Sequence, residues 1–299
     1  MAEIKAIKKG IKWDRVSFVF LTTIVPIIMF LVFYVYVSFD SVLMAFRDED
    51  TMVYSLKYFR IFFNDLSKGG SDILISLDNT MKYFVLNNVI MFPLSLLFSF
   101  FLYKKIWGFK YFRIVFFLPS IISGVVMSTL YRYLLDGPIS DMIQDLFNMD
   151  TPPLLFKNPK YANTSIMIFV VWLGIAGNMI IHSGTLARIP AEIVESSKID
   201  GAGFFREFTS IAIPLIWPTL STLLLMNIIG IFGSSGPILL FTRGDAGTST
   251  ISYWIYECTV VSPQYNYAAA VGLVMTCVSI PIVFFSRWAM AKIGTGEEF

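Results

Sequence analysis

Six long, apolar and nearly uncharged runs dominate this sequence, and they restrict its fold more than any other feature. A helix needs about 20 mostly apolar residues to cross the hydrocarbon core of a bilayer. The runs reach this length at residues 16–39, 83–103, 114–131, 162–187, 211–233 (continuing towards 241) and 267–289. They predict an all-α membrane protein with six transmembrane helices.

The composition excludes several other classes of protein. Hydrophobic residues make up 56% of the chain and charged residues only 15%, whereas soluble domains carry about 25% charged residues. The net charge of +2 lacks the basic excess of a nucleic-acid-binding domain. Cys258 and Cys277 fall in different kinds of segment, so the sequence predicts neither a disulfide framework nor a thiolate metal site.

The distribution of lysine and arginine predicts the orientation in the membrane. Fourteen of the 23 lie in the N-terminal segment, in the gaps after the second and fourth runs, and at the C-terminal end, although these stretches are together shorter than the other gaps. Loops rich in Lys and Arg stay in the cytoplasm. Residues 1–15 and 290–299 are therefore expected to be cytoplasmic tails, and 16–289 to form the transmembrane domain, with a cytoplasmic loop at 188–210.

The runs lack the groups that a self-sufficient pump or an enzyme needs. No series of ionisable groups at depth suggests a proton relay, and His182 is expected to form an interhelical hydrogen bond. The phosphate-binding pattern G-x-x-x-x-G-K-[ST] is absent from the sequence, as is a G-x-S-x-G nucleophile elbow. We therefore expect a non-enzymatic transport subunit that holds no cofactor or metal and is energised by a separate partner.

The loop between the fourth and fifth runs carries clear helix-boundary signals. Pro190 suits the first position of a helix, and Glu192 and Glu195 suit the positive end of the helix dipole. Gly201 permits the left-handed conformation that ends many helices. A short cytoplasmic helix that protrudes from the membrane is predicted.

This loop resembles a signature of the inner-membrane permease subunits of ATP-binding-cassette (ABC) importers. Glu195-Ser196-Ser197 is followed after three residues by Gly201 and, after nine more, by Ile211-Ala212-Ile213-Pro214. This spacing is similar to the family pattern E-A-A-x3-G-x9-I-x-L-P, with two serines in place of the alanines and an isoleucine in place of the leucine. The segment Asp200-Gly201-Ala202 also fits the family.

Further short segments resemble the carbohydrate-uptake branch of this family. Residues 242–250 are similar to the Thr-x-Gly-Gly-Pro-x-x-x-Thr turn of its maltose-type first permease, although Asp245 and Ala246 stand where glycine and proline are usual. The other segments are Ser38-Phe39-Asp40, Tyr58-Phe59, Phe117-Leu118-Pro119, Trp172-Leu173-Gly174 and Tyr267-Ala268-Ala269-Ala270. The resemblance covers nearly the whole chain, from about residue 16 to about residue 292.

The resemblance implies the type I ABC importer permease fold and a set of partners at the bacterial inner membrane. A second, homologous permease subunit would complete the passage, two cytoplasmic ATPase subunits would bind ATP and Mg, and an extracytoplasmic binding protein would deliver a sugar. The loop helix would act as a coupling helix that docks on an ATPase subunit. The coupling residues that the resemblance implies are Glu195, Ser196, Ser197, Asp200, Gly201, Ala202, Ile211 and Pro214.

Two stripes of small and polar residues are candidate faces for the solute. They consist of Leu173, Gly174, Gly177 and Asn178 in the fourth run and of Asn227, Gly230, Ile231 and Ser234 in the fifth. The likeness to the maltose-type permease implies that such faces bear the sugar. Glycines at this spacing serve equally well for close helix packing. The absence of Lys and Arg from both stripes disfavours a phosphorylated or acidic substrate.

Two alternatives remain open at this point. The same machinery would serve a glycerol phosphodiester or another polyol. A secondary transporter or a membrane enzyme would instead act alone, without an ATPase partner.

Overall fold

The computed structural model describes residues 13–49, 51–233 and 236–293, and their side chains from residue 17 onwards. Within these ranges the chain is helical, and one isolated bridge between Arg47 and Tyr54 is the only β-type pairing. The expected tails at 1–15 and 290–299 lie largely outside the described residues, as does Ser234.

Five of the described helices are long and apolar enough to cross a membrane. They alternate with shorter helices in the connecting segments. The order is α1 (Ser17–Phe46), α2 (Lys57–Ser67), α3 (Asp72–Tyr103), α4 (Phe109–Ile121), α5 (Gly124–Phe147), α6 (Ala162–Leu186), α7 (Ala191–Ile199), α8 (Phe204–Ile229), α9 (Ile238–Phe241), α10 (Ile251–Tyr256) and α11 (Tyr265–Ile293).

The third predicted span is not one straight helix. The structure divides it into α4 and α5, which meet at a bend of 107° and count together as a broken sixth span. Pro119 removes a backbone donor near the end of α4. Ile122 and Ser123 then adopt extended ψ angles of 143° and 134°. The prediction of a continuous helix over 114–131 is therefore wrong.

The fifth predicted span also ends earlier than expected. Helix α8 stops at Ile229, and residues 230–233 and 236–237 form turns before α9 begins at Ile238. Gly230 occupies the C-terminal cap, and Gly236 adopts a φ of +53°, which side chains other than glycine's rarely tolerate. A helix running on to 233 and towards 241 is therefore not formed.

Helix α1 stands apart from the rest of the chain. The 18-residue window that best fits a membrane span is 0% buried. Only its last turns meet the body, where Ala45 lies in a buried cluster with Tyr58 and Phe62 of α2 and with Tyr267 of α11. The body therefore holds α1 by one end.

A second buried cluster joins three membrane helices near α7. Phe92, Leu96 and Phe100 of α3 pack there against residues of α6 and α8. The partners in α6 and α8 are Leu186, Ala212, Ile216 and Leu220, and Ile189 follows α6. This cluster sets the positions of the helix ends between which α7 is held.

The side chain of Met91 in α3 packs directly over Gly174 of α6. A Cβ atom added to Gly174 would lie 2.1 Å from Sδ and 2.9 Å from Cε of Met91. Met91 is itself buried with Ile175 and Met179 of α6. Gly174 is therefore a packing residue of the small-residue kind found between membrane helices.

His182 differs from its expected role. Its side chain is 1% exposed and lies edge-on to the ring of Phe92, with ring centroids 4.8 Å apart. Neither ring nitrogen has a hydrogen-bond partner among the described residues. The expected interhelical hydrogen bond is thus not formed, because the ring packs against an aromatic neighbour.

Asn79 of α3 ties together three separate parts of the chain on the side opposite α7. Its Nδ2 donates to the carbonyl oxygens of Gly247 and Ser249, both at 2.8 Å. Its Oδ1 accepts from Nδ2 of Asn163 in α6 at 2.7 Å. Because Asn79 is only 2% exposed, these bonds hold the turn at 242–250 against the bundle.

Substitution Gly174→Ala is expected to destabilise the protein by about 1 kcal/mol, because the flexible side chain of Met91 must shift within a packed cluster while the better helix propensity of alanine offsets part of the cost. Thermal unfolding of the detergent-purified protein measures this. Met91→Ala should cost less in the Gly174→Ala background than in the native one, since it removes the clashing atoms. Unchanged thermal stability of Gly174→Ala would contradict the packing role.

Substitution Asn79→Ala should lower the stability by about 1–3 kcal/mol, because it leaves two carbonyl oxygens and one amide of Asn163 without partners in a buried place. Asn163→Ala removes only one of the three bonds and should cost less. The comparison uses thermal unfolding together with proteolysis of the 242–250 turn. Equal stability of both variants and the native protein would refute the tie.

Candidate coupling site and passage faces

Helix α7 begins one residue later than the sequence suggested. Pro190 occupies the cap position with a ψ of 135°, and Ala191 is the first helical residue. The carbonyl of Pro190 still accepts from the backbone N–H of Ile193 at 3.2 Å. Glu192 lies in the first turn, where its charge favours the positive end of the helix dipole.

The other end of α7 is closed by a Schellman turn. The N–H of Ala202 donates to the carbonyl of Ser197 at 2.9 Å, and the N–H of Gly201 donates to that of Lys198 at 3.1 Å. Gly201 has a φ of +72°, the left-handed conformation that this motif requires. The predicted role of Gly201 as a helix end is confirmed.

Val194 attaches the middle of α7 to the body, and Ser197 is buried beside it. Ser197 is 5% exposed, and its hydroxyl donates to the carbonyl of Val194 at 2.8 Å. Val194 in turn packs against the buried cluster of α3, α6 and α8. Glu195 and Ser196, by contrast, are exposed. The signature residues therefore divide into those that shape α7 and those that face solvent.

A cavity of about 260 Å³ lies between α7 and the first turns of α8. Asp200 and Arg206 bring opposite charges to its wall. Its lining consists of Ile193, Ser196, Ser197, Asp200, Ala202, Arg206, Ser210 and Ile211. The structure thus brings together five of the predicted coupling residues, while Glu195 and Pro214 are exposed outside this lining and Gly201 serves the turn.

A buried ion pair at the edge of this region was not foreseen from the sequence. Lys104, at the end of α3, binds the carboxylate of Glu207 in the first turn of α8. Glu207 is only 3% exposed, and Nζ of Lys104 also lies 5.8 Å from the ring centroid of Phe100. A carboxylate that is buried needs a cationic partner. The sequence signal for this pair was the acidic Glu207 directly before the apolar run of α8.

The fourth-run stripe lies on one helix, but its two glycines differ. Gly174 faces Met91 across the α3–α6 contact, whereas a Cβ at Gly177 would meet no atom within 4 Å. Gly177 is exposed, and Leu173 and Asn178 beside it are half-buried. The open part of the stripe is therefore its C-terminal half, at Gly177 and Asn178.

The fifth-run stripe does not form a single helical face. Asn227 lies in the last turn of α8, but Gly230 and Ile231 follow the end of the helix, and Ile231 is 4% exposed.

Among the described residues, no group of three or more His, Cys, Asp or Glu side chains is placed to hold a metal ion.

Comparison with known proteins agrees with this architecture. Residues 83–295 match the family described as binding-protein-dependent transport system inner membrane component. The lactose transport system permease protein LacF of Rhizobium radiobacter is 28% identical over 72% of this chain and 74% of its own length. The multiple sugar-binding transport system permease protein MsmF of Streptococcus mutans serotype c is 25% identical over 84% of this chain and 88% of its own length.

A solved structure has the same fold. The bacterial alginate ABC transporter in complex with alginate pentasaccharide-bound periplasmic protein contains a chain that aligns with a TM-score of 0.79. The alignment covers 96% of this chain and 99% of that one, at 20% identity. The fold is that of a type I ABC importer permease, and the chain belongs to the family of binding-protein-dependent transport system inner membrane components.

Proposed function

We propose that this chain, together with a second homologous permease, forms the passage of an ATP-driven importer for an oligosaccharide. An external solute-binding protein delivers the sugar, and two ATPase subunits that bind ATP and Mg supply the energy. Both termini of the chain and α7 face the cytoplasm, in keeping with the placement of its Lys and Arg residues.

The exposed face of α7 carries this proposal. Glu195 is a solvent-facing carboxylate on a helix whose two ends are fixed by Pro190 and Gly201. Such a short, rigid element passes a push to the body through Val194 and the buried cluster. The cavity beside it offers Asp200 and Arg206 to a side chain of the ATPase subunit.

The sugar class is supported by the relatives and by the candidate passage. LacF and MsmF are named for lactose and for multiple sugars. The open part of the α6 face, Gly177 and Asn178, bears an amide and no charge, which suits a neutral, hydroxyl-rich solute. A glycerol phosphodiester or another polyol is the second candidate, and a basic residue in the partner permease's half of the passage would favour it.

Substitution Glu195→Lys is expected to reduce retention of the ATPase subunit on the affinity-tagged permease by about ten-fold or more, because a charge is reversed at the contact. Sugar uptake by vesicles that contain the whole transporter should fall in parallel. Asp145→Lys is the matched control, since Asp145 is an exposed carboxylate on α5, on the opposite side of the bundle.

Retention of the ATPase and normal uptake in Glu195→Lys would refute the coupling role. Uptake by this chain reconstituted alone, without any ATPase, would instead favour the secondary transporter.

Substitution Gly177→Leu should block uptake of a labelled oligosaccharide by about ten-fold or more while leaving thermal stability and ATPase retention unchanged. Folding should not be impaired, because the position has space for a side chain and leucine is a better helix former than glycine. The matched control is Gly272→Leu in α11, which also has open space. Normal uptake by Gly177→Leu would mean that Gly177 does not line the passage.

A further inference from the structure

An apolar groove lies at the turn between α3 and α4, apart from both the coupling site and the passage faces. Its volume is about 290 Å³. The walls are almost entirely aromatic and aliphatic: Phe98, Phe101, Leu102, Ile106, Trp107, Phe109, Phe112 and Phe116. The groove opens on the same side of the bundle as α7, because Lys104 in this turn is paired with Glu207 at the start of α8.

The rim of this groove is formed by residues next to its lining and is basic. Lys105 precedes Ile106, Lys110 follows Phe109, and Cζ of Arg113 lies 5.9 Å from the ring centroid of Phe109. Lys105, Lys110 and Arg113 are exposed, and none of them forms an ion pair with an acidic residue in the part of the chain that the structure describes. No Asp or Glu occurs in the sequence between Asp78 and Asp136. An occupant with an apolar body and an anionic head would match both the walls and the rim.

Trp107 sets the depth of this groove in the membrane. Its side chain is 93% exposed, and tryptophans in such positions sit at the level of the lipid headgroups. Phe112 and Phe116 follow at one-turn spacing along α4, so the groove runs from the headgroup level into the hydrocarbon layer. Basic pockets at this level between membrane helices are suited to anionic lipid headgroups.

We propose that this groove binds an anionic phospholipid of the leaflet on the α7 side, with an acyl chain between α3 and α4 and the phosphate near Lys105, Lys110 and Arg113. A protein segment is less well suited, because it would have to bring two or three acidic residues into an aromatic groove at the headgroup level. The site lies at the start of α4 and at the end of α3, so lipid binding there stabilises the α3–α4 turn beside the Lys104–Glu207 pair. The proposal is independent of the transported solute.

The test uses the assembled transporter in nanodiscs whose lipids carry brominated acyl chains, which quench nearby tryptophan fluorescence. The contribution of Trp107 is the difference between the native protein and Trp107→Phe. Brominated phosphatidylglycerol is expected to quench this contribution at about ten-fold lower mole fraction than brominated phosphatidylcholine. Lys105→Gln/Lys110→Gln should reduce the preference to about three-fold or less, because two of the three charges at the rim are lost.

Lys157→Gln/Lys160→Gln is the matched control, since it removes two exposed lysines before α6, at the opposite end of the bundle, and should keep the preference. Equal quenching of the native protein by the two lipids, or an undiminished preference in Lys105→Gln/Lys110→Gln, would overturn the proposal. If neither lipid quenches Trp107 in the assembled transporter, a protein segment fills the groove and the proposal is also wrong.

Discussion

The need to satisfy backbone hydrogen bonds inside hydrocarbon is the constraint on which this structure depends. It explains why the membrane segments are helical and why the two breaks in them are instructive. After α8, the side chains of Ile231, Ile238 and Phe241 are buried, but Gly230, Gly233 and Gly236 are exposed. Between α4 and α5, Ser123 and Gly124 are exposed. The same rule therefore requires that water, lipid headgroups or another subunit meets the backbone at both breaks.

Rigidity around α7 comes from several interactions of different kinds. The Schellman turn at Gly201 sets its direction, and Val194 packs it onto the body. The Lys104–Glu207 pair joins α3 to the start of α8. Removing one partner of a buried pair costs about 3–5 kcal/mol, because the other charge is left alone. Helices α3, α6 and α8 together therefore resist a displacement of α7.

The sequence predicted most of the apolar helices, a short helix between Pro190 and Gly201 and the left-handed glycine, because hydropathy and helix-end residues are local properties. It could not separate Gly174 from Gly177, since only the neighbour across the helix contact, Met91, decides which glycine packs. The bend after Pro119 was missed because a hydropathy window averages over the local backbone angles. The ion pair of Glu207 was not predicted, because its partner Lys104 lies about a hundred residues away in the sequence.

Helix α1 has a different consequence. From Ser17 to Tyr36 every side chain except that of Ile24 is exposed, so shape complementarity within the subunit does not restrict them. Leucine, valine, isoleucine and phenylalanine should be interchangeable there over evolutionary time, as far as this chain is concerned. The only penalty imposed is that of partitioning, about 3 kcal/mol for a lysine or arginine at mid-depth. As far as this chain is concerned, sequence drift in α1 is then limited by hydrophobicity rather than by side-chain packing.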